Sequence, residues 1–188
     1  MRLFAALLLP AALRATLARA GRGLPIEEGA VRRVPESSLH LTLAFAGAVT
    51  AAQAGVLRRR LAVELAGTGP FELRIAGLGC FGPARRPKVL WAGVPGPPRG
   101  LEGCRRAAAA AWEAAGLERD DRPFHPHITL GRIRKGRRPP DLTLALESTR
   151  TTLYGSVTVR AVHLMQSRLT PAGAQHEIYG RFPLEGEG

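Results

Sequence analysis

One short phrase occurs twice in this chain of 188 residues, and the repetition limits the possible folds more than any other feature. Leu39-His40-Leu41-Thr42-Leu43 returns 87 residues later (127 minus 40) inside His125-Pro126-His127-Ile128-Thr129-Leu130-Gly131-Arg132. Each copy alternates apolar and polar residues, the pattern of a half-buried strand. Residues two apart share a strand face. His40 and Thr42 therefore point one way and Leu41 and Leu43 the other. His127 and Thr129 are set against Ile128 and Leu130 in the same manner. Two strands, each presenting an imidazole and a hydroxyl on one face, form a candidate acid/base pair.

The repetition extends beyond the phrase. Leu3 to Leu7 falls on Leu90 to Val94, an apolar run each time, and a helix-like stretch separates each run from its motif (Ala11 to Ala20, then Leu101 to Ala115). Near the same offset, Phe71 to Ile75 corresponds to Val157 to Ala161. The chain reads as two interleaved versions of one unit, approximately residues 1–87 and 88–188, within a single domain. This settles an ambiguity at the N-terminus. Met1-Arg2, the apolar run to Leu13 and Ala18-Arg19-Ala20 together imitate a secretion signal. The same strand recurs at Val89 to Val94, where no targeting signal acts, and Pro10 interrupts the run. Residues 2–9 are therefore expected to be the first strand, with Pro10 opening the first helix. A cytoplasmic, monomeric protein without a membrane segment is expected.

Other elements follow from local signals. Thr50 is a suitable N-cap for a helix through residues 51–66, with Val56, Leu57, Leu61 and Leu65 on one apolar face. Gly77 to Pro87 reads as a loop, and Gly116 as the end of the helix that begins near Leu101. Leu142 to Leu146 and Val157 to Leu164 read as strands, and the tail beyond Pro171 as a last edge strand.

The charge of +12 and a pI near 11.4 favour a polyanionic partner through counterion release and electrostatic steering. Two basic clusters flank the motifs: Arg32 and Arg33 precede the first, and Arg134, Lys135, Arg137 and Arg138 follow the second. Such clusters position a nucleic-acid backbone but read no sequence. Cys80 and Cys104 are the two cysteines, in no metal-binding spacing, and read as free thiols. No metal and no cofactor is expected. His163 and His176 read as structural. Phe4, Phe45, Phe81, Trp91 and Phe124 read mostly as core, with one of them available to stack on a base.

The chain resembles the two-histidine phosphoesterases, and within them the bacterial RNA 2',3'-cyclic phosphodiesterases, also called 2'-5' RNA ligases. The matching pieces are Met1-Arg2-Leu3-Phe4, Leu39 to Leu43, Phe45 with Gly47, Pro70-Phe71, Leu90 to Gly93 and Phe124 to Arg132, in family order over most of the chain. The resemblance implies a two-lobed α+β fold with a pseudo-twofold internal duplication. Antiparallel sheets line a central cleft, helices pack outside, and each lobe supplies one histidine. The implied substrate is RNA ending in a 2',3'-cyclic phosphate, opened to a 2'-phosphomonoester, with 2'-5' ligation as an allied activity. By the same resemblance His40 is the acid for the leaving 3'-oxygen, His127 the base for water, and Arg132 a phosphate ligand. The residues support that chemistry independently. Opening a cyclic diester needs a base for water and an acid for the leaving oxygen, and imidazole serves both near neutrality. The Thr42 and Thr129 hydroxyls can stabilise the growing charge on the non-bridging oxygens. Arg132 lies five residues past His127, an odd separation that faces it away on a regular strand, and Gly131 reads as a bulge that re-aims it. Two rival readings stand beside this one: a cyclic phosphodiesterase for a small nucleotide of the ADP-ribose cyclic phosphate type, and a non-catalytic basic RNA-binding module.

Overall fold

The computed structural model describes residues 1–118, 123–137, 140–170 and 173–186. In chain order the described elements are β1 (Arg2–Leu8), α1 (Ala11–Arg22), β2 (Val31–Arg33), β3 (His40–Ala48), α2 (Ala51–Glu64), β4 (Phe71–Phe81), β5 (Val89–Gly93), α3 (Arg99–Ala114), β6 (His127–Ile133), α4 (Thr143–Ser148), β7 (Leu153–Val159), β8 (Ala161–Thr170) and β9 (Gly173–Pro183). The helix starts obey their local signals. Pro10 stands at the N-cap of α1. Thr50 accepts from the Gln53 backbone while Gln53 reaches back to Thr50, a reciprocal cap for α2. Leu57, Leu61 and Leu65, four apart, are the buried stripe of α2.

All the strand pairings are antiparallel, and the order is β7-β4-β5-β6-β3-β1-β8-β9, with β2 also on β6. The order is symmetric about the β6–β3 junction: β5 matches β1, β4 matches β8, and β7 matches β9. The chain halves and the sheet halves do not coincide. β4, from the first half, lies beside β5, while β8 and β9, from the second, lie beside β1. The two antiparallel sheets expected from the sequence are thus continuous through one junction.

That junction is a single pairing, Leu41 with Ile128. Both side chains are fully buried in the main core, on the helix-covered face. β1 shows why an apolar run imitates a targeting signal. Leu3, Ala5 and Leu7 enter the main core, whereas Phe4 and Ala6 join Met165 in a small cluster on the opposite face. A central strand buried on both faces has no polar side to alternate with.

Four expectations need correction. Leu142 to Leu146 is not a strand: residues 143–148 form α4, and the Asp141 carboxylate accepts from the Thr143 backbone N–H at 2.9 Å at its entry. The Leu-Thr-Leu-Ala-Leu alternation is too short to separate the two periods. Val157 to Leu164 is not one strand: β7 ends at Val159 and β8 begins at Ala161, on opposite flanks of the sheet. The partner of β4 in the duplication is therefore β8, not the stretch around Val157. Finally, Gly77 to Phe81 is strand and not loop, because β4 absorbs Gly77 (φ +71°) as a bulge against β5.

Candidate active site

The site is built outward from the Leu41–Ile128 pair. An antiparallel register carried one residue to either side sets His40 across from Thr129 and Thr42 across from His127. Since Leu41 and Ile128 enter the core, all four flanking side chains emerge on the other face. A pseudo-twofold axis through the pair relates the two motifs. The cleft on that face encloses about 1070 Å³, and His40, Thr42, Thr129, Arg132, Arg134 and Phe45 are among its lining residues. His127 is not among them; its ring packs edge to face against Phe81.

The backbone sets the tautomer of both imidazoles. His40 Nδ1 lies 2.7 Å from the Ser38 carbonyl and His127 Nδ1 lies 2.7 Å from the His125 carbonyl, in each case two residues back. A carbonyl only accepts, so Nδ1 carries the hydrogen and Nε2 keeps the lone pair when the ring is neutral. Nε2 of His40 lies 3.1 Å from Thr42 Oγ1, whose hydroxyl donates to it when the ring is neutral. Burial pushes His40 down to about 4, partly opposed by the Ser38 hydrogen bond and reinforced by the positive fields of His176 and His127. Burial also lowers His127, against the His125 carbonyl, with Arg132 and His125 adding repulsion. Both shifts favour the neutral ring.

Arg132 reaches the cleft by a bulge, one residue earlier than the sequence suggests. Across β5 and β6 the register passes from Leu90–Gly131 to Trp91–Thr129, leaving Leu130 unmatched. The same irregularity occurs at the equivalent place in the other motif. Across β1 and β3 it passes from Ala5–Ala44 to Ala6–Thr42, leaving Leu43 unmatched. Both strands then bury two consecutive residues and expose the next, Arg132 in one and Phe45 in the other. Phe45 is thus not a core residue: it is 64% exposed, beside Phe4. Phe4 is core, and Phe81, Trp91 and Phe124 are partly buried.

The basic clusters divide. β2 lays Arg32 directly opposite Arg132 on β6, and Arg2, Arg33 and Arg134 line the same cleft. Like charges set opposite one another are unfavourable without an anion between them. Among the described residues no hydrogen bond or ion pair engages the side chains of Arg2, Arg32, Arg132 or Arg134. Arg33 is held by the Gly21 carbonyl at 2.7 Å. Lys135 and Arg137 are exposed beyond the cleft lining, and Arg138 lies outside the described residues. Arg2, not singled out as a site residue from the sequence, also lines the cleft, as does His176 on β9, which reads as structural from the sequence but packs against Phe4 and His40. No local signal marks His176, because two strand pairings bring it there. Among the described residues no group of three or more His, Cys, Asp or Glu is placed to hold a metal ion. No described helix is long and apolar enough to cross a membrane.

One imidazole and one hydroxyl from each motif, on a duplicated antiparallel sheet, have the arrangement of a two-histidine phosphoesterase. The chain belongs to the 2'-5' RNA ligase superfamily, whose sequence profile matches residues 10–170. It is 35% identical over 174 residues to the RNA 2',3'-cyclic phosphodiesterase of Escherichia coli, covering 90% of this chain and 93% of that protein. It is 34% identical over 143 residues to the protein of the same name from Aeropyrum pernix, covering 76% and 80%. Its fold matches the crystal structure of TT0787 of Thermus thermophilus with a TM-score of 0.83 at 30% identity over 100% of both chains. It also matches E. coli LigT complexed with 3'-AMP, with a TM-score of 0.80 at 28% identity over 97% of both.

Proposed function

We propose that this chain is an RNA 2',3'-cyclic phosphodiesterase that opens the cyclic end to a 2'-phosphomonoester without a metal ion. The observation that supports the reading is the Leu41–Ile128 register, which brings the two His-x-Thr motifs side by side with their imidazoles and hydroxyls on one face of the sheet. The two-histidine relatives bearing the name RNA 2',3'-cyclic phosphodiesterase support the substrate class.

The anionic cyclic phosphate settles among Arg132, Arg32 and the Thr42 and Thr129 hydroxyls. Its charge raises the proton affinity of the adjacent rings, so His40 takes up a proton on binding. His127 Nε2 removes a proton from water, whose oxygen attacks phosphorus. The P–O3' bond breaks in line, and His40 gives its proton to the departing 3'-oxygen. The threonine hydroxyls and Arg132 stabilise the charge gathering on the non-bridging oxygens. An RNA 5'-hydroxyl in the place of water gives a 2'-5' linkage by the same groups. Phe45 offers its exposed ring to the terminal base. Arg2, Arg32 and Arg134 hold upstream phosphates. The whole chain works as one domain whose two repeats, near 1–87 and 88–188, exchange strands.

The test is product analysis on an oligoribonucleotide with a 2',3'-cyclic phosphate end, with and without EDTA, resolving 2'- from 3'-phosphate. The 2'-phosphate is expected, at equal rate with the chelator. A 3'-phosphate overturns the regiochemistry, loss of activity in EDTA overturns the metal-free mechanism, and absence of turnover leaves an RNA-binding module.

A further inference from the structure

The duplication relates not only the two histidines but also what braces them. On the His127 side the brace is Phe81, whose ring meets the imidazole edge to face at 4.8 Å and 88°. Phe81 stands on β4 opposite Val89 of β5. The 87-residue offset carries Val89 onto Arg2, and the residue opposite Arg2 on β8 is Ser167. Serine is too small to reach the other catalytic ring. The next strand supplies what is missing: Ser167 pairs with His176 on β9, and His176 meets His40 edge to face at 5.5 Å and 85°. It also meets Phe4 at 5.0 Å and 78°, which closes a triangle of rings, since Phe4 lies 4.9 Å from His40. The two lobes thus solve one packing problem with different chemistry, a phenyl ring in one and an imidazole in the other.

We propose that His176 is a positioning residue for His40, holding that ring as Phe81 holds His127, and that it does so only while it is itself neutral. Its location favours the neutral form. Nδ1 of His176 is buried without a partner, so a second ring hydrogen there is unsatisfied, and burial lowers the affinity of the ring for a proton. The surroundings reinforce this. Arg2 on β1, Arg32 and Arg33 on β2, and Arg132 and Arg134 at the end of β6 line the cleft that holds both rings. On the far side, a smaller pocket of about 610 Å³ adds Arg14, and Glu177 as the acidic member. Glu177 is committed to Arg168 at 3.1 Å. When the medium becomes acid enough to charge His176, its field opposes the proton that His40 needs for the leaving oxygen. The His40 side of the reaction therefore carries a titratable brace that the His127 side lacks. The proposal rests on the catalytic reading of His40, but its geometric part does not.

The experiment is a pair of substitutions, His176→Phe and His176→Ala, read two ways: NMR titration of the His40 ring, and kcat and KM for a cyclic-phosphate oligonucleotide across pH. His176→Phe restores the chemistry of the other lobe. It is expected to keep kcat at neutral pH within about twofold, the phenyl ring restoring the packing that fixes near-attack geometry, and to extend activity to lower pH. It is also expected to move the His40 midpoint upward by roughly half a unit to two units. Coulomb's law spans that range at such a separation between water and an effective dielectric of about 20. His176→Ala removes the brace and is expected to cost about tenfold in kcat at unchanged KM, as small misplacements of a reacting group do. An unaltered His40 titration in His176→Phe overturns the proposal, as does a loss confined to KM, which marks a direct substrate contact. Wild-type protein that binds RNA without turning it over refutes the catalytic reading, and the NMR titration still decides whether His176 braces His40. If His176→Ala fails to fold, His176→Phe retains the ring and both measurements.

Discussion

Replacing His40 with asparagine should flatten the acid side of the stability curve. The imidazole titrates near 6.5 in the unfolded chain and at about 4 in the folded one. A depressed pKa means that the unfolded state binds more protons between those values, so stability rises with pH there. The His40 contribution is fully present above the unfolded value and is lost as pH falls through the folded one. Two and a half pH units correspond to about 3 kcal/mol in all, of which about 2 kcal/mol is lost between pH 7 and pH 5. Other depressed histidines (His127, His163 and His176) slope the same way. The His40 share is therefore read from the difference between wild type and His40→Asn. Urea unfolding followed by far-ultraviolet circular dichroism at several pH values measures it. The variant is expected to gain about 2 kcal/mol on the wild type from pH 7 to pH 5. Parallel curves for the two proteins would falsify the claim that burial holds this ring neutral. The proton taken up on binding would then need another source.

His40→Ala and His127→Ala should each lower kcat on a cyclic-phosphate end by about 10²–10⁴-fold, with the double variant little worse because the two act as a unit; independent, multiplying losses count against the shared mechanism. Binding of a nucleoside 2'-phosphate near pH 6 should take up protons, seen in calorimetry as a heat that varies with the ionisation enthalpy of the buffer, and a buffer-independent heat contradicts it. Arg32→Ala should weaken RNA binding and reduce its salt slope by about one unit, whereas the same change at Lys135 should leave the slope nearly unaltered. Gly79→Ala should destabilise by about 1–3 kcal/mol in thermal or urea unfolding, because a Cβ there collides with the Trp91 ring.

The duplicated His-x-Thr phrase was legible because its information is local. Strand alternation alone assigns His40 and Thr42 to one face and Leu41 to the other, and His127, Thr129 and Ile128 likewise. The Pro10 helix start and the Thr50–Gln53 cap are local for the same reason. Local pattern is ambiguous where a period is short or interrupted. Leu142 to Leu146 alternates for only five residues, and Gly77 looks like a loop signal although it is a bulge inside β4.

The sequence by itself determined the chemistry available: two imidazoles, two hydroxyls, a surplus of arginine, and strands and helices that repeat at 87 residues. Tertiary structure alone decided which of these groups meet. The Leu41–Ile128 pairing joins positions far apart in the chain, and the unmatched Leu43 and Leu130 become visible only against their partner strands. Those bulges turn Phe45 and Arg132 into the cleft, although alternation counts both away from it. His176 is the extreme case. Nothing within several residues of it predicts a role, yet β9 pairs with β8 and β8 with β1, and the ring arrives against His40. Side-chain facing is a property of a strand and its own period. Side-chain company is a property of register, which non-local hydrogen bonds set.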